Sequence, residues 1–135
     1  MKYDSPDAGL LRGRALQASL TVKDLQKSLA WYCDVLGFAV DKRHEREGIL
    51  RGVSLQAGDV RLLINHDDGA RGLDRTKGEG FSLQITIIGD VDAVAARIKR
   101  SGGVLLSEPA DMPWGARVFR LLDPDGYRLT ISSGS

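Results

Sequence analysis

One cysteine, two histidines, three phenylalanines, three tyrosines and two tryptophans are all that 135 residues hold of the side chains most used for redox, metal and stacking chemistry. A single cysteine, Cys33, closes no internal disulfide, so nothing asks for an oxidising compartment and a cytoplasmic location is expected. The residue falls on the inner stripe of a predicted helix, which makes it a buried thiol and not a nucleophile. His44 sits in the charged run 41–47, read as a solvated hairpin end. His66 stands beside Asp67 and Asp68, and adjacent residues on one loop rarely close a coordination shell. No apolar run approaches the ~18 residues of a membrane span, and the polar start, with Pro6 and Gly9, lacks the apolar segment of a signal peptide. The formal charge is only +1. Lys/Arg and Asp/Glu are interspersed, which removes the electrostatic case for nucleic acid or an anionic membrane. There is no glycine-rich loop joining a strand to a helix, as phosphate binding would need. No serine or cysteine pairs with a histidine in a known motif, and the carboxylates fall at caps, turns and exposed helix faces.

What is present is a repeated pattern. Residues 15–22 alternate, with Ala18, Leu20 and Val22 on one side and Gln17, Ser19 and Thr21 on the other, as a half-buried strand requires. Asp24 is a good N-cap for a helix over 24–36, since its carboxylate accepts from free N–H groups of the first turn. Leu25, Leu29, Tyr32, Cys33 and Leu36 form one apolar stripe, and Gly37 ends it. A second copy begins at Asp90, with Val91, Val94, Ala95 and Ile98 inside and Gly102-Gly103 at the end. Cap and terminal glycine lie thirteen residues apart in both, 24 to 37 and 90 to 103. Arg61-Leu62-Leu63-Ile64 likewise matches Arg128-Leu129-Thr130-Ile131, each after a turn (Gly58-Asp59, then Asp125-Gly126). Order, caps and turns agree on a duplicated unit.

In order, residues 1–14 read as an arm on which Leu10 and Leu11 would dock. A single domain is expected over 15–135, with a first module at 15–65, a linker at 66–80 and a second module at 81–133. Strands follow at 38–47, 49–56 and 60–65. The linker has four glycines, almost no apolar content, and the character of a mobile connector or lid. The second module has strands at 81–88, from 104, at 116–122 and at 127–132, with a stiff turn at Pro109–Gly115 and a strong one at Asp123-Pro124-Asp125-Gly126. Each half therefore reads β-α-β-β-β, an α+β fold. A ferredoxin-like fold has one strand fewer after each helix and does not fit.

Val22-Lys23-Asp24-Leu25 with Trp31-Tyr32 and Leu36-Gly37-Phe38, Asp90-Val91-Asp92-Ala93, Pro113-Trp114-Gly115, and Asp123-Pro124-Asp125-Gly126-Tyr127 together resemble the vicinal oxygen chelate superfamily. That group includes glyoxalase I, bleomycin-resistance proteins and extradiol dioxygenases, and the bleomycin-resistance type is the nearest branch. The resemblance spans residues 15–133. It implies two βαβββ modules in tandem, their mixed sheets cupped around a cavity with the helices outside. It also implies a homodimer, often completing its crevice from two chains. Metal enzymes of the group place one ligand on the first and one on the last strand of each module. Carried onto this chain, those positions are Gln17, Leu63, Thr130 and either Leu83 or Ser82. The second register keeps Leu83, Ile85 and Ile87 toward the helix and turns Ser82, Gln84 and Thr86 to the cavity, which spares burying three polar groups. In either register only Gln17 is a plausible ligand, so no metal and no cofactor is expected.

The expected function is metal-independent binding of a small organic molecule. Gln17, Ser19, Thr21, Ser82, Gln84 and Thr130 would supply hydrogen bonds, Leu63 and Trp114 apolar surface, and Arg117 a charge. The alternatives are an enzyme of the glyoxalase or dioxygenase type with an atypical or absent metal site, and an interaction module with a closed cup.

Overall fold

The structure is a computed structural model that describes residues 2–5 and 9–134. Part of the expected arm, including Pro6, lies outside the described residues; Leu10 and Leu11 do not dock and are each 93% exposed.

The chain forms β1 (Ala18–Val22), α1 (Leu25–Ala30), a π-helical turn (Trp31–Leu36), β2 (Ala39–Arg46), β3 (Ile49–Ala57) and β4 (Val60–His66). It then forms β5 (Ser82–Thr86), α2 (Val91–Arg100), β6 (Leu105–Asp111), β7 (Arg117–Leu122) and β8 (Arg128–Ser132). These build two separate four-stranded mixed sheets, ordered β1-β4-β3-β2 and β5-β8-β7-β6. In each the first strand runs parallel to the last, and the remaining pairs are antiparallel. The βαβββ unit thus occurs twice, and its repetition is a property of the fold.

The apolar stripes read from the sequence make the core. Leu20, Val22, Val53, Leu55, Leu62 and Ile64 of the first sheet, Phe119, Leu121, Leu129 and Ile131 of the second, and Leu25, Tyr32, Val91 and Ile98 beneath them belong to one buried cluster. Leu83, Ile85 and Ile87 pack against it, while Ser82, Gln84 and Thr86 are exposed. The β5 register is therefore the one that leaves no polar side chain behind the helix.

Four local features depart from the sequence reading. The first helix is α only to Ala30 and then opens into the π-helical turn before Gly37, whose φ is 100°. The second helix takes its left-handed residue at Gly102 (φ 94°), one position earlier than the sequence match implied. Gly103 is needed for space instead: a Cβ there would lie 2.4 Å from Ile98 Cγ2 and 2.8 Å from Val35 Cγ1. Pro109 does not end its strand. It lies inside β6, where pairing with β7 shifts register between Ser107 and Ala110, and an irregular edge strand is where the missing N–H of proline is tolerated. Finally, the polar linker is anchored at Asp67 and Lys77, both buried.

Candidate functional site

In-register neighbours of a sheet project from the same face, so the pairing fixes which side chains share a surface. On the first sheet Ser19 pairs with Leu63 and Leu63 with Ser54; Thr21 pairs with Asn65 and Asn65 with Gly52. Gln17 precedes β1 on this same open face. The surface is polar and internally bonded: Asn65 Nδ2 donates to Ser19 Oγ at 2.7 Å, His44 Nε2 lies 2.8 Å from Ser54 Oγ, and Arg61 donates to Gln56. His44 is therefore not a purely solvated residue. The bulge between Val40 and Lys42 sets its face, and no periodic reading of a charged run shows a bulge.

On the second sheet the rows are Ser82–Arg128–Leu122 and Gln84–Thr130–Arg120. Ser82 and Gln84 are exposed, and Thr130 is buried between its neighbours. A cleft of about 700 Å³ opens at the lower row, where Ser82, Leu122 and Arg128 meet Lys77, Glu79 and Phe81 from the end of the linker. Among the expected site residues, Gln17, Ser19, Thr21 and Leu63 thus share one sheet face, and Ser82, Gln84 and Thr130 share another. Trp114 and Arg117 join neither group. Trp114 stands 61% exposed on the β6–β7 turn. Arg117 alternates with Val118 and Arg120 and so projects from the helix side of β7. There its guanidinium bonds Asp92 on α2 (2.8 and 3.0 Å) and Asp111 (3.0 Å), which hold its pKa up and lower that of Asp92. Arg128 and Arg120 were passed over in the sequence, although two-residue alternation from Thr130 places Arg128 on its face.

The four positions that the resemblance assigns to family metal ligands are Gln17, Leu63, Thr130 and, in the observed β5 register, Ser82. One amide, one alkane and two hydroxyls do not make a donor set for a divalent cation. Among the described residues no group of three or more His, Cys, Asp or Glu side chains converges, and Asp67, beside His66, is committed to Lys77 at 2.9 Å.

Charge is concentrated where the modules meet. Asp123 Oδ1 accepts from the N–H groups of Asp125 and Tyr127, both at 2.8 Å, folding the Asp-Pro-Asp-Gly turn. Its Oδ2 accepts from Tyr32 Oη at 2.7 Å. Burial raises the Asp123 pKa, and the hydrogen bonds from Tyr32 and the backbone oppose that rise. Tyr32 is pushed up by burial first, then by the Asp123 carboxylate. Lys77 Nζ lies 2.9 Å from both Asp67 and Asp125. Burial works against its charge, but hydrogen bonds to the two carboxylates prevail and its pKa rises. Asp67 falls to about 2, through the Gly69 N–H and then Lys77. Tyr127 Oη donates to the Thr21 carbonyl at 2.8 Å, and Arg97 of α2 donates to the carbonyls of Val35 (3.3 Å) and Leu36 (2.9 Å), closing the end of the first module's helix.

The profile described as Glyoxalase/Bleomycin resistance protein/Dioxygenase superfamily matches residues 14–131. The probable lactoylglutathione lyase of Synechocystis sp. is 27% identical over 122 residues, 86% of this chain and 92% of its own. The lactoylglutathione lyase of Neisseria meningitidis serogroup A is 30% identical over 122 residues, 86% and 87%. The crystal structure of UcmS2 superposes with a TM-score of 0.75 at 17% identity, covering 92% of this chain and all of that one; it shares the fold.

Proposed function

Because this chain belongs to the Glyoxalase/Bleomycin resistance protein/Dioxygenase superfamily, we propose that it binds a small organic molecule on the open faces of its sheets, without a metal ion, as a cytoplasmic homodimer. The observation that carries this is the pairing of a ligand-poor metal position with a ligand-rich surface. Gln17, Leu63, Ser82 and Thr130 give no coordination shell, while the faces around them present hydroxyl, amide and guanidinium groups beside a cleft of about 700 Å³, a size suited to small ligands. The homodimer is supported by β1 and β5, each an edge strand without an outer neighbour among the described residues, and each bordering an open face that a second copy would cover.

A second reading is an enzyme of the glyoxalase type that dispenses with the usual donors. It is favoured by the names of the relatives, and turnover of lactoylglutathione tests it. The first experiment is elemental mass spectrometry of protein purified without chelators, joined to a thermal-shift series with Ni, Zn, Mn and Fe and to light scattering at micromolar concentration. No bound metal, no metal-dependent shift and a dimeric mass are expected. Stoichiometric metal or a large stabilisation overturns metal independence, and a monomeric mass overturns the homodimer.

A further inference from the structure

We propose that the ligand of the second sheet is an anion: a small organic molecule whose carboxylate or phosphate-type group rests on Arg128, with Arg120 as the second cation and an apolar body against Leu122 and Phe81. This rests on the reading of that face as a ligand site and names the chemistry it selects.

Four observations carry it. Arg128 lies in register with Ser82 and Leu122, and Arg120 with Thr130, so both guanidinium groups rise from the face that bears Gln84 and Thr130. Both residues are exposed. Arg120 donates its backbone N–H to Ser107 Oγ, but neither guanidinium group forms a hydrogen bond or ion pair with a described residue. Nearby cations are already committed: Arg117 to Asp92 and Asp111, Lys77 to Asp67 and Asp125, Lys99 to Glu108. The two arginines are left over from a pairing scheme that satisfies their neighbours. Third, the cleft beside Arg128 holds one carboxylate, Glu79, alongside Lys77, Phe81 and Leu122. The charges lining it are the unpaired guanidinium of Arg128 and the ammonium of Lys77 against one exposed acid, and the second unpaired guanidinium, Arg120, stands in the next row of the same face. Fourth, the whole chain carries only +1, so this positive face is local and not the reflection of a basic protein.

Arginine is the cation suited to this task. Its planar fork meets two oxygens of a carboxylate or phosphate at once, and it is more weakly hydrated than an ammonium group. Ser82 adds a hydroxyl donor in the same row, and Phe81 and Leu122 add apolar walls. An oxyanion joined to a compact apolar body matches that arrangement. A cation would meet repulsion from Arg128 and Arg120, and a neutral amide would leave both arginines unanswered.

The test titrates the full chain with four probes of one shape by ligand-observed NMR: benzoate, phenyl phosphate, benzamide and benzylamine. The two acids are expected to bind at least tenfold more tightly than the amide and the amine, and whichever acid leads identifies the head group. Arg128→Gln is expected to cost tenfold or more for the acids and to leave benzamide unchanged. Arg128→Lys, which keeps the charge and loses the fork, should fall between, and Arg120→Gln should cost severalfold. Thermal melts check that each variant folds. Equal binding of benzamide or benzylamine, or acid binding indifferent to Arg128→Gln, overturns the anion assignment and leaves small-molecule binding intact. Absence of binding by all four probes and by a general fragment set removes the ligand-binding reading, and this inference with it.

Discussion

Asp67 shows how one side chain can be misjudged from its surroundings in the sequence. It opens a glycine-rich, nearly apolar-free stretch, yet it is 4% exposed and holds the buried ammonium of Lys77. Its pKa falls to about 2, chiefly through the Gly69 N–H. A carboxylate with a depressed folded pKa contributes stability that is present above its unfolded value, near 4, and lost as pH falls through the folded value. The Asp67→Asn variant is therefore expected to be less stable than the wild type at pH 7, with the gap closing between about pH 4 and 2. Urea midpoints at four or five pH values measure it; a gap constant down to pH 2 contradicts the assignment. Asp123 works in the opposite sense. Its pKa is raised by burial, so its ionisation costs stability at neutral pH, and the two groups partly offset each other on acidification. Arg128 teaches the converse lesson. Its face was legible from alternation with Thr130. Its candidacy as a ligand contact was not, because an exposed arginine becomes a candidate only once the partners of its neighbours are known.

At the level of the elements, strands and helices were legible because their apolar stripes are regular, and both aspartate caps stand where the sequence places them, with Asp24 accepting from Lys27 N and Asp90 from Asp92 N. The β5 register was readable from the cost of burying Ser82, Gln84 and Thr86. The strand through Pro109 was not, because whether a strand lies at an edge is a fact of topology. The use of Gly103 was equally hidden, since what it avoids is Val35, 68 positions earlier, together with Ile98. Gly103→Ala forces a methyl group into that contact and is expected to destabilise by about 2 kcal/mol, read from chemical denaturation. A change below a few tenths of a kcal/mol would mean that α2 does not press against the first module there.

Across the whole molecule, the two modules read as independent repeats but share one core and one polar seam. Tyr32 to Asp123, Tyr127 to Thr21, and Arg97 to Leu36 each bind residues from different halves. Leaving any of these buried groups without its partner costs free energy, so each half alone would expose half a core and strand several polar atoms. The full chain is expected to unfold in a single transition, with far-UV circular dichroism and the fluorescence of Trp31 coinciding. Residues 15–65 and 81–133 made separately are expected to show no cooperative melt, and a half that melts cooperatively alone would contradict the shared core. The duplication was visible in the sequence because caps and turns are local. The seam was not, since each of its bonds spans more than 60 positions.

The wide turn at Trp31–Leu36 has a consequence for how the first helix tolerates its length. From its capping aspartate to its left-handed glycine the first helix spans thirteen steps, 24 to 37, and the second twelve, 90 to 102. A π-helical turn is how a helix lodges one residue more than its regular pitch allows. The first module thus holds one residue more than the second between cap and left-handed glycine, and the π-helical turn accommodates it. Length changes inside a helix ordinarily rotate everything after them by about 100°. Here the wide turn takes up the rotation, so Leu25 before it and Tyr32 and Leu36 within it all reach the one core.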